Sequence, residues 1–247
     1  MSLSIGPQLV VALDGPASSG KSSVGAAAAV ELGYRFCDTG LLYRAATWLA
    51  LQRAVPADGD PASLVALTSE IELAPDENGR LAHVSVDGED VTEEVHTPRV
   101  DEAVSAVSRV RELRAALLER QRSLAAEPGG IIMAGRDIGT VVLPDADLKI
   151  FLDASVEERA RRRTEERDLS PDSQEARYIL AQLRRRDELD SKRDVAPLRP
   201  AADAVHIVTD GNAFEETVDA VVGTIRAAER ERTAQSPAAQ SRAATPR

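Results

Sequence analysis

Residues 7–33 read PQLVVALDGPASSGKSSVGAAAAVELG, and the fold follows from their order. The apolar run LVVAL is short and ends at a turn, as a buried strand does. Gly15 to Ser22 fits the pattern G-x-x-x-x-G-K-[ST], and an Ala-rich helical segment then continues until Gly33. The pattern has physical meaning only in this context of strand, glycine-rich loop and helix. Glycines keep the loop tight enough for backbone amides to converge on phosphate oxygens, and the helix N-terminus adds favourable partial charge. The cradle so read comprises Gly15, Pro16, Ala17, Ser18, Ser19, Gly20, Lys21, Ser22 and Ser23. Lys21 is suited to bridge the terminal phosphates of a nucleoside triphosphate, and the Ser22 hydroxyl is suited to Mg²⁺. The loop by itself names no acceptor, since motors, switches and small-molecule kinases share it.

Working outward, YRFCD (34–38) reads as a second strand and GLLYRAATWLALQRA (40–54) as a helix, with Leu42, Ala46, Leu49 and Arg53 at helical spacing. GGIIMAG (129–135), DLKIFLDA (147–154) and ADAVHIVTDG (202–211) are three more buried-strand candidates. Strands alternating with helices predict an α/β protein, a P-loop NTPase fold with a five-stranded, mostly parallel sheet flanked by helices. Residues 71–97 break the rhythm with short alternating strands around the turns DENG and DGED, predicting a small antiparallel β insert. Helical pattern resumes over 98–127. The final stretch, ERERTAQSPAAQSRAATPR (229–247), lacks large apolar residues and is expected to be disordered. The expected organisation is one domain over 1–228, with a core (9–70 and 130–228), an inserted lobe (71–129) and a helical lid (155–194).

A chain of 247 residues, 43% apolar and 29% charged, has the composition of a globular protein with one good core. The formal charge of −11 repels polyphosphate backbones and opposes general nucleic-acid binding. Cys37 is the sole cysteine, which excludes an intrachain disulfide and paired-Cys zinc sites and fits a reducing cytoplasm. No apolar run reaches membrane-spanning length, and no basic region precedes the apolar residues at the start. The expectation is a cytoplasmic protein without membrane or nucleic-acid partners.

CDTGLLYR (37–44) sets Asp38, Thr39 and Arg44 at the end of the second strand, the edge of an α/β sheet where ligands bind. An arginine beside a hydroxyl at a helix start is able to clamp a second phosphate, though the spacing fits a surface arginine equally well. Residues 157–194 carry 11 basic and 11 acidic side chains, a pattern that fits a salt-bridged helical face as well as a lid.

Five stretches in order, DGPASSGKSS, DTGLLYRA, GRDIGTVV, DLKIFLDAS and RRRDELDSKRDVAPL, resemble bacterial cytidylate kinases over about residues 9–228, and the antiparallel insert resembles that family's enlarged monophosphate-binding lobe. The resemblance implies ATP as donor, Mg²⁺, and CMP with dCMP as acceptors, in a protein expected to be monomeric. By position it implies that Thr39, Arg44, Arg136 and Arg193 hold the monophosphate, that Ser105, Arg111 and Asp137 read cytosine, and that Arg186 and Asp190 lie near the ribose. It also implies a lid that brings arginines over the transferring group; Arg159 and Arg163, at i and i+4, are the candidates. Ala134 replaces an acidic residue common in the family, leaving Asp14 or Asp38 to position a metal-bound water. The interval from Ser105 to Arg111 is shorter than the family pattern, and Thr39 stands where serine is common.

A monophosphate acceptor is already largely ionised near neutral pH, because its second pKa lies near ~6, so no general base is needed. His83, His96 and His206 are accordingly read as structural or surface groups. The rival readings are a P-loop kinase acting on another small metabolite and a non-catalytic nucleotide-binding module.

Overall fold

The computed structural model describes residues 8–235. Strand β1 (Val10–Asp14), the phosphate-loop turn and helix α1 (Lys21–Leu32) open the chain, as the sequence predicts. Helix α1 ends at Gly33, whose φ of 66° lets its N–H reach back to Ala29 and Val30 carbonyls. There follow β2 (Arg35–Asp38), α2 (Gly40–Gln52) and α3 (Pro61–Leu67). The insert comprises β3 (Ile71–Pro75), β4 (Arg80–Val86), β5 (Glu89–Asp90), α4 (Pro98–Val107) and α5 (Arg111–Ala126). The chain then forms β6 (Ile131–Gly135), a wide helical turn (Ile138–Val142), β7 (Leu148–Asp153), α6 (Val156–Glu165), α7 (Gln174–Ser191), β8 (Val205–Val208) and α8 (Phe214–Gln235).

All five strands expected from the sequence form, as the parallel array β2-β6-β1-β7-β8. The sheet itself has eight strands, not five. The insert does not stand apart: β4 pairs parallel with β2 at Phe36–Arg80 and Cys37–Leu81, and carries β3 and β5 antiparallel on its own flanks. Joining the lobe to the sheet edge satisfies backbone groups that β2 would otherwise expose.

Side chains of β1 alternate between two cores. Val11 and Leu13 pack with α1 and with Val218, Val221, Val222 and Ile225 of α8. Ala12 turns to the opposite face, among Met133, Ala125, Ile138 and Val142. Fully buried residues such as Val221 and Ile225 each contribute roughly 1.5–3 kcal/mol by leaving water. The lobe shares a third core with α2 and α3, centred on Leu42, Leu64, Ile71 and Leu113. Ala160 of α6 and Ile179 and Leu183 of α7 pack onto Ala17 of the loop.

The expected disordered tail is corrected in its first turns. Residues 229–235 continue α8. Tyr34 donates to Glu229 at 2.6 Å and Arg232 pairs with Asp147, so polar contacts hold a segment that lacks large apolar anchors. The remainder, 236–247, lies outside the described residues. Among the described residues no helix is long and apolar enough to cross a membrane.

Candidate active site

The phosphate loop lies at the C-terminal end of β1, on the floor of a cleft of ≈ 560 Å³. Ala17 to Ser23 line it. Gly15 and Pro16 sit beneath: a Cβ on Gly15 would stand 2.1 Å from the Leu152 carbonyl oxygen, so only glycine lets the loop press against β7. Gly20, with φ 91°, caps α1 without any side-chain hydrogen bond, leaving the helix start suited to an anion.

Lys21 is buried, with Nζ donating to the Pro16 carbonyl at 2.5 Å and to Ser19 Oγ at 3.3 Å. Burial, and then the nearby Arg136, push its pKa well below the usual ammonium range. A bound polyphosphate would supply the counter-charge that this ammonium lacks. Ser22 donates its hydroxyl to Asp38, whose other oxygen accepts from the Gly40 amide at 2.9 Å. Asp14 is committed elsewhere: its two oxygens accept from the amides of Ile138 (2.8 Å) and Gly139 (2.7 Å), and burial raises its pKa to about 6. Of the two acids considered for the metal, Asp38 is therefore the one that reaches Ser22. Ala134 contributes only its carbonyl, which accepts from the Thr39 amide (3.0 Å) and hydroxyl (2.9 Å).

A second, smaller pocket of ≈ 60 Å³ adjoins the cleft. Thr39, Ser105, Arg136, Asp137, Arg186, Asp190 and Arg193 all line it, although they come from distant parts of the chain. Arg44 faces the larger cleft beside Arg136 and Arg186. Arg136 Nε donates to Asp190 at 3.0 Å, and Arg193 Nε reaches the Asp190 carbonyl at 3.3 Å. Burial alone would raise the Asp190 pKa, but Arg136, Arg193 and Arg186 outweigh it and hold the carboxyl below its ordinary range. Arg186 is pushed down to about 10, first by burial and then by Arg136. Among the described residues, Arg186 Nε and Arg193 Nη2 are buried donors without a protein acceptor. Unpaired buried guanidinium donors are costly unless an anion completes them.

Two sequence expectations need correction. Arg111 is exposed at the start of α5 and does not line the pocket. One turn later, Arg114 does: it donates to Asp137 at 2.5 Å and to the Ser108 carbonyl at 3.2 Å, with its guanidinium 5.2 Å from the Tyr43 ring centre. The short interval between Ser105 and Arg111 was the signal that the partner lay further along the helix. Arg159 is likewise no free lid cation. It is buried, donates to the Ala154 and Ala17 carbonyls (both 2.9 Å) and grips Asp187 with both terminal nitrogens. It thereby ties the phosphate loop to α6 and α7. Arg163 does face the cleft, 3.3 Å from Ser18 Oγ.

Sequence reasoning passed over the outer wall of the cleft, made by Arg161, Arg162, Asn212, Phe214 and Thr217. Phe214 is 46% exposed, an aromatic face left open at the rim. None of the three histidines lines either cavity; His206 packs on Phe151 with ring centres 5.5 Å apart.

A family model described as Cytidylate kinase matches residues 11–227. The chain belongs to the cytidylate kinase family. A cytidylate kinase of Enterococcus faecalis is 44% identical over 220 residues, covering 89% of this chain and 96% of that protein. A cytidylate kinase of Nocardia farcinica is 46% identical over 211 residues, covering 85% and 90%. A solved gluconokinase from Sinorhizobium meliloti superposes with a TM-score of 0.49 at 15% identity, covering 93% of this chain and all of that one. As a member of the cytidylate kinase family, the protein is an enzyme, a nucleoside monophosphate kinase.

Proposed function

We propose that the protein transfers the γ-phosphoryl group of ATP to CMP, and to dCMP, giving ADP and the diphosphate. The observation that carries this reading is the buried Asp137–Arg114 pair beside Ser105, set beneath Arg136, Arg186 and Arg193. Cytosine offers an amino donor next to two acceptors, the complement of one carboxylate and one arginine. Uracil would turn a carbonyl toward the same carboxylate and leave a buried mismatch.

The donor's phosphates lie in the loop, with Lys21 on the terminal pair and the adenine against Phe214 at the rim. The donor set fits magnesium: Ser22 is hydrogen-bonded to Asp38, while no group of three or more His, Cys, Asp or Glu among the described residues makes a cage. That is the arrangement of an ion held mainly by phosphate and water, with Ser22 as protein ligand and Asp38 behind it. When bound, it neutralises phosphate charge.

Transfer then rests on alignment and charge neutralisation. Arg44, Arg136 and Arg193 grip the acceptor phosphate, Arg186 and Asp190 bracket the ribose, and the Thr39 hydroxyl adds a short polar contact. Arg163 covers the transferring group, while Arg159 keeps the loop and lid in register. The acceptor pocket, at ≈ 60 Å³, is smaller than a nucleotide, so its walls widen as one enters.

A coupled ADP-release assay with CMP, dCMP, UMP and AMP tests the reading. CMP and dCMP should accelerate ATP consumption far above the others. Failure of both would refute it.

A further inference from the structure

Asp101 stands in the first turn of α4, and the transfer reading gives it no part. Its Oδ1 accepts from Arg44 Nη2 at 2.6 Å and lies 4.0 Å from Arg186 Nη1, while Oδ2 accepts from Arg163 Nη2 at 2.7 Å. These guanidinium groups arrive on α2, α7 and α6, so one carboxylate links the inserted lobe to both lid helices. Its side chain is only 18% exposed. Burial opposes ionisation, but Arg44, Arg163 and Arg186 outweigh it and hold the pKa below the ordinary carboxylate range.

All three arginines also line the phosphate-loop cleft. Asp101 sits behind them, on the wall of a separate cavity between α4, α6 and α7. A carboxylate sharing its oxygens among several guanidinium groups offers them the charge and hydrogen-bond pattern of a phosphate. A phosphate approaching from the cleft must draw the same donors away from Asp101, or settle near a second, partly buried negative charge. Either course costs affinity.

We propose that Asp101 is an internal counter-ion, a positioning and specificity-determining residue that aligns Arg44, Arg163 and Arg186 in the empty enzyme and makes every incoming phosphate compete for them. The inference rests on the reading of this side as the acceptor-monophosphate site. Its consequence is selectivity. Inorganic phosphate has only the arginines to gain and is rejected, whereas a nucleotide that also engages Asp137 and Arg114 recovers the loss.

The test is calorimetric titration of the full chain with inorganic phosphate, alone and with ADP filling the phosphate loop, beside CMP kinetics. Asp101→Asn should bind phosphate about tenfold more tightly than wild type, as expected for removing one charged competitor from partly buried donors. The CMP KM should fall in the same variant. Asp101→Glu, which keeps the charge, should return phosphate binding toward wild type. Should Asp101→Asn not fold, Asp101→Ser carries the same comparison. Unchanged or weaker phosphate binding in the neutral variants would overturn the proposal and leave Asp101 a structural link. The phosphate titration decides this even if CMP proves not to be the acceptor, so the two readings fail separately.

Discussion

The phosphate-loop cleft and the smaller pocket, proposed above as donor and acceptor sites, share Arg136 and Arg186 but are made of different materials. The cleft is large, at ≈ 560 Å³, and its floor is main chain shaped by the close approach of Gly15 to Leu152 and the left-handed turn at Gly20. The pocket is small, at ≈ 60 Å³, and is walled by long cationic side chains clamped on Asp137 and Asp190. A backbone site is ready before its ligand arrives. A side-chain site of like charges holds together only through counter-ions, and it must exchange them when the ligand enters.

The division breaks most visibly at Lys21, the one charged side chain of the loop. Lys21→Met is expected to lower kcat about 10³-fold, the scale of losing a charged transition-state contact. Its Nζ reaches only Pro16 and Ser19, so the CMP KM should stay near wild type in the coupled assay. A comparable loss of CMP affinity would show that the two regions are not separate. On the acceptor side, Arg114→Ala strands the buried Asp137 carboxylate and should cost roughly 3 kcal/mol in chemical denaturation while raising the CMP KM. Arg111→Ala, one turn away and exposed, should alter neither.

Asp14 sits where the two regions join, below the loop and bonded to the turn that follows Asp137. Its folded pKa, about 6, exceeds the ordinary 3.8 because of burial. A carboxyl raised in this way favours folding while protonated. Its contribution is complete below pH 3.8 and is lost as pH climbs through about 6. The loss is on the order of 2–3 kcal/mol. Asp14→Asn cannot ionise, so the stability difference between wild type and variant should shrink across that window. A pH-independent difference would mean that Asp14 is ionised throughout.

Legibility in the sequence followed the same division. Strand, loop and helix at 7–33 were readable because glycine spacing and apolar runs are local properties, and each of the five core strands formed where the pattern put it. Thr39, Asp137, Asp190 and Arg193 were reachable through the family's motifs, and they converge on one pocket. What escaped was pairing across the chain. Arg159 looked like a cleft cation because its i to i+4 spacing with Arg163 is visible, whereas its capture by Asp187 depends on how α6 lies against α7. Arg111 and Arg114 share one helix and one residue type, and only the burial of α5 separates them. The lobe's attachment to β2 was hidden because a two-residue pairing leaves no periodic trace.

The finest test lies at the base-reading end. Asp137→Asn keeps one oxygen able to accept from Arg114, so the buried arginine is not abandoned and the fold should survive. The other position becomes an NH₂ donor. Against cytosine's amino group, donor then meets donor; against uracil's carbonyl, donor meets acceptor. The CMP-to-UMP ratio of kcat/KM should therefore fall about tenfold, chiefly through a higher CMP KM, with the phosphate arginines untouched. A ratio that stayed constant while both substrates weakened would make Asp137 a mere anchor for Arg114, and base choice would have to reside in Ser105 and the neighbouring α4 wall.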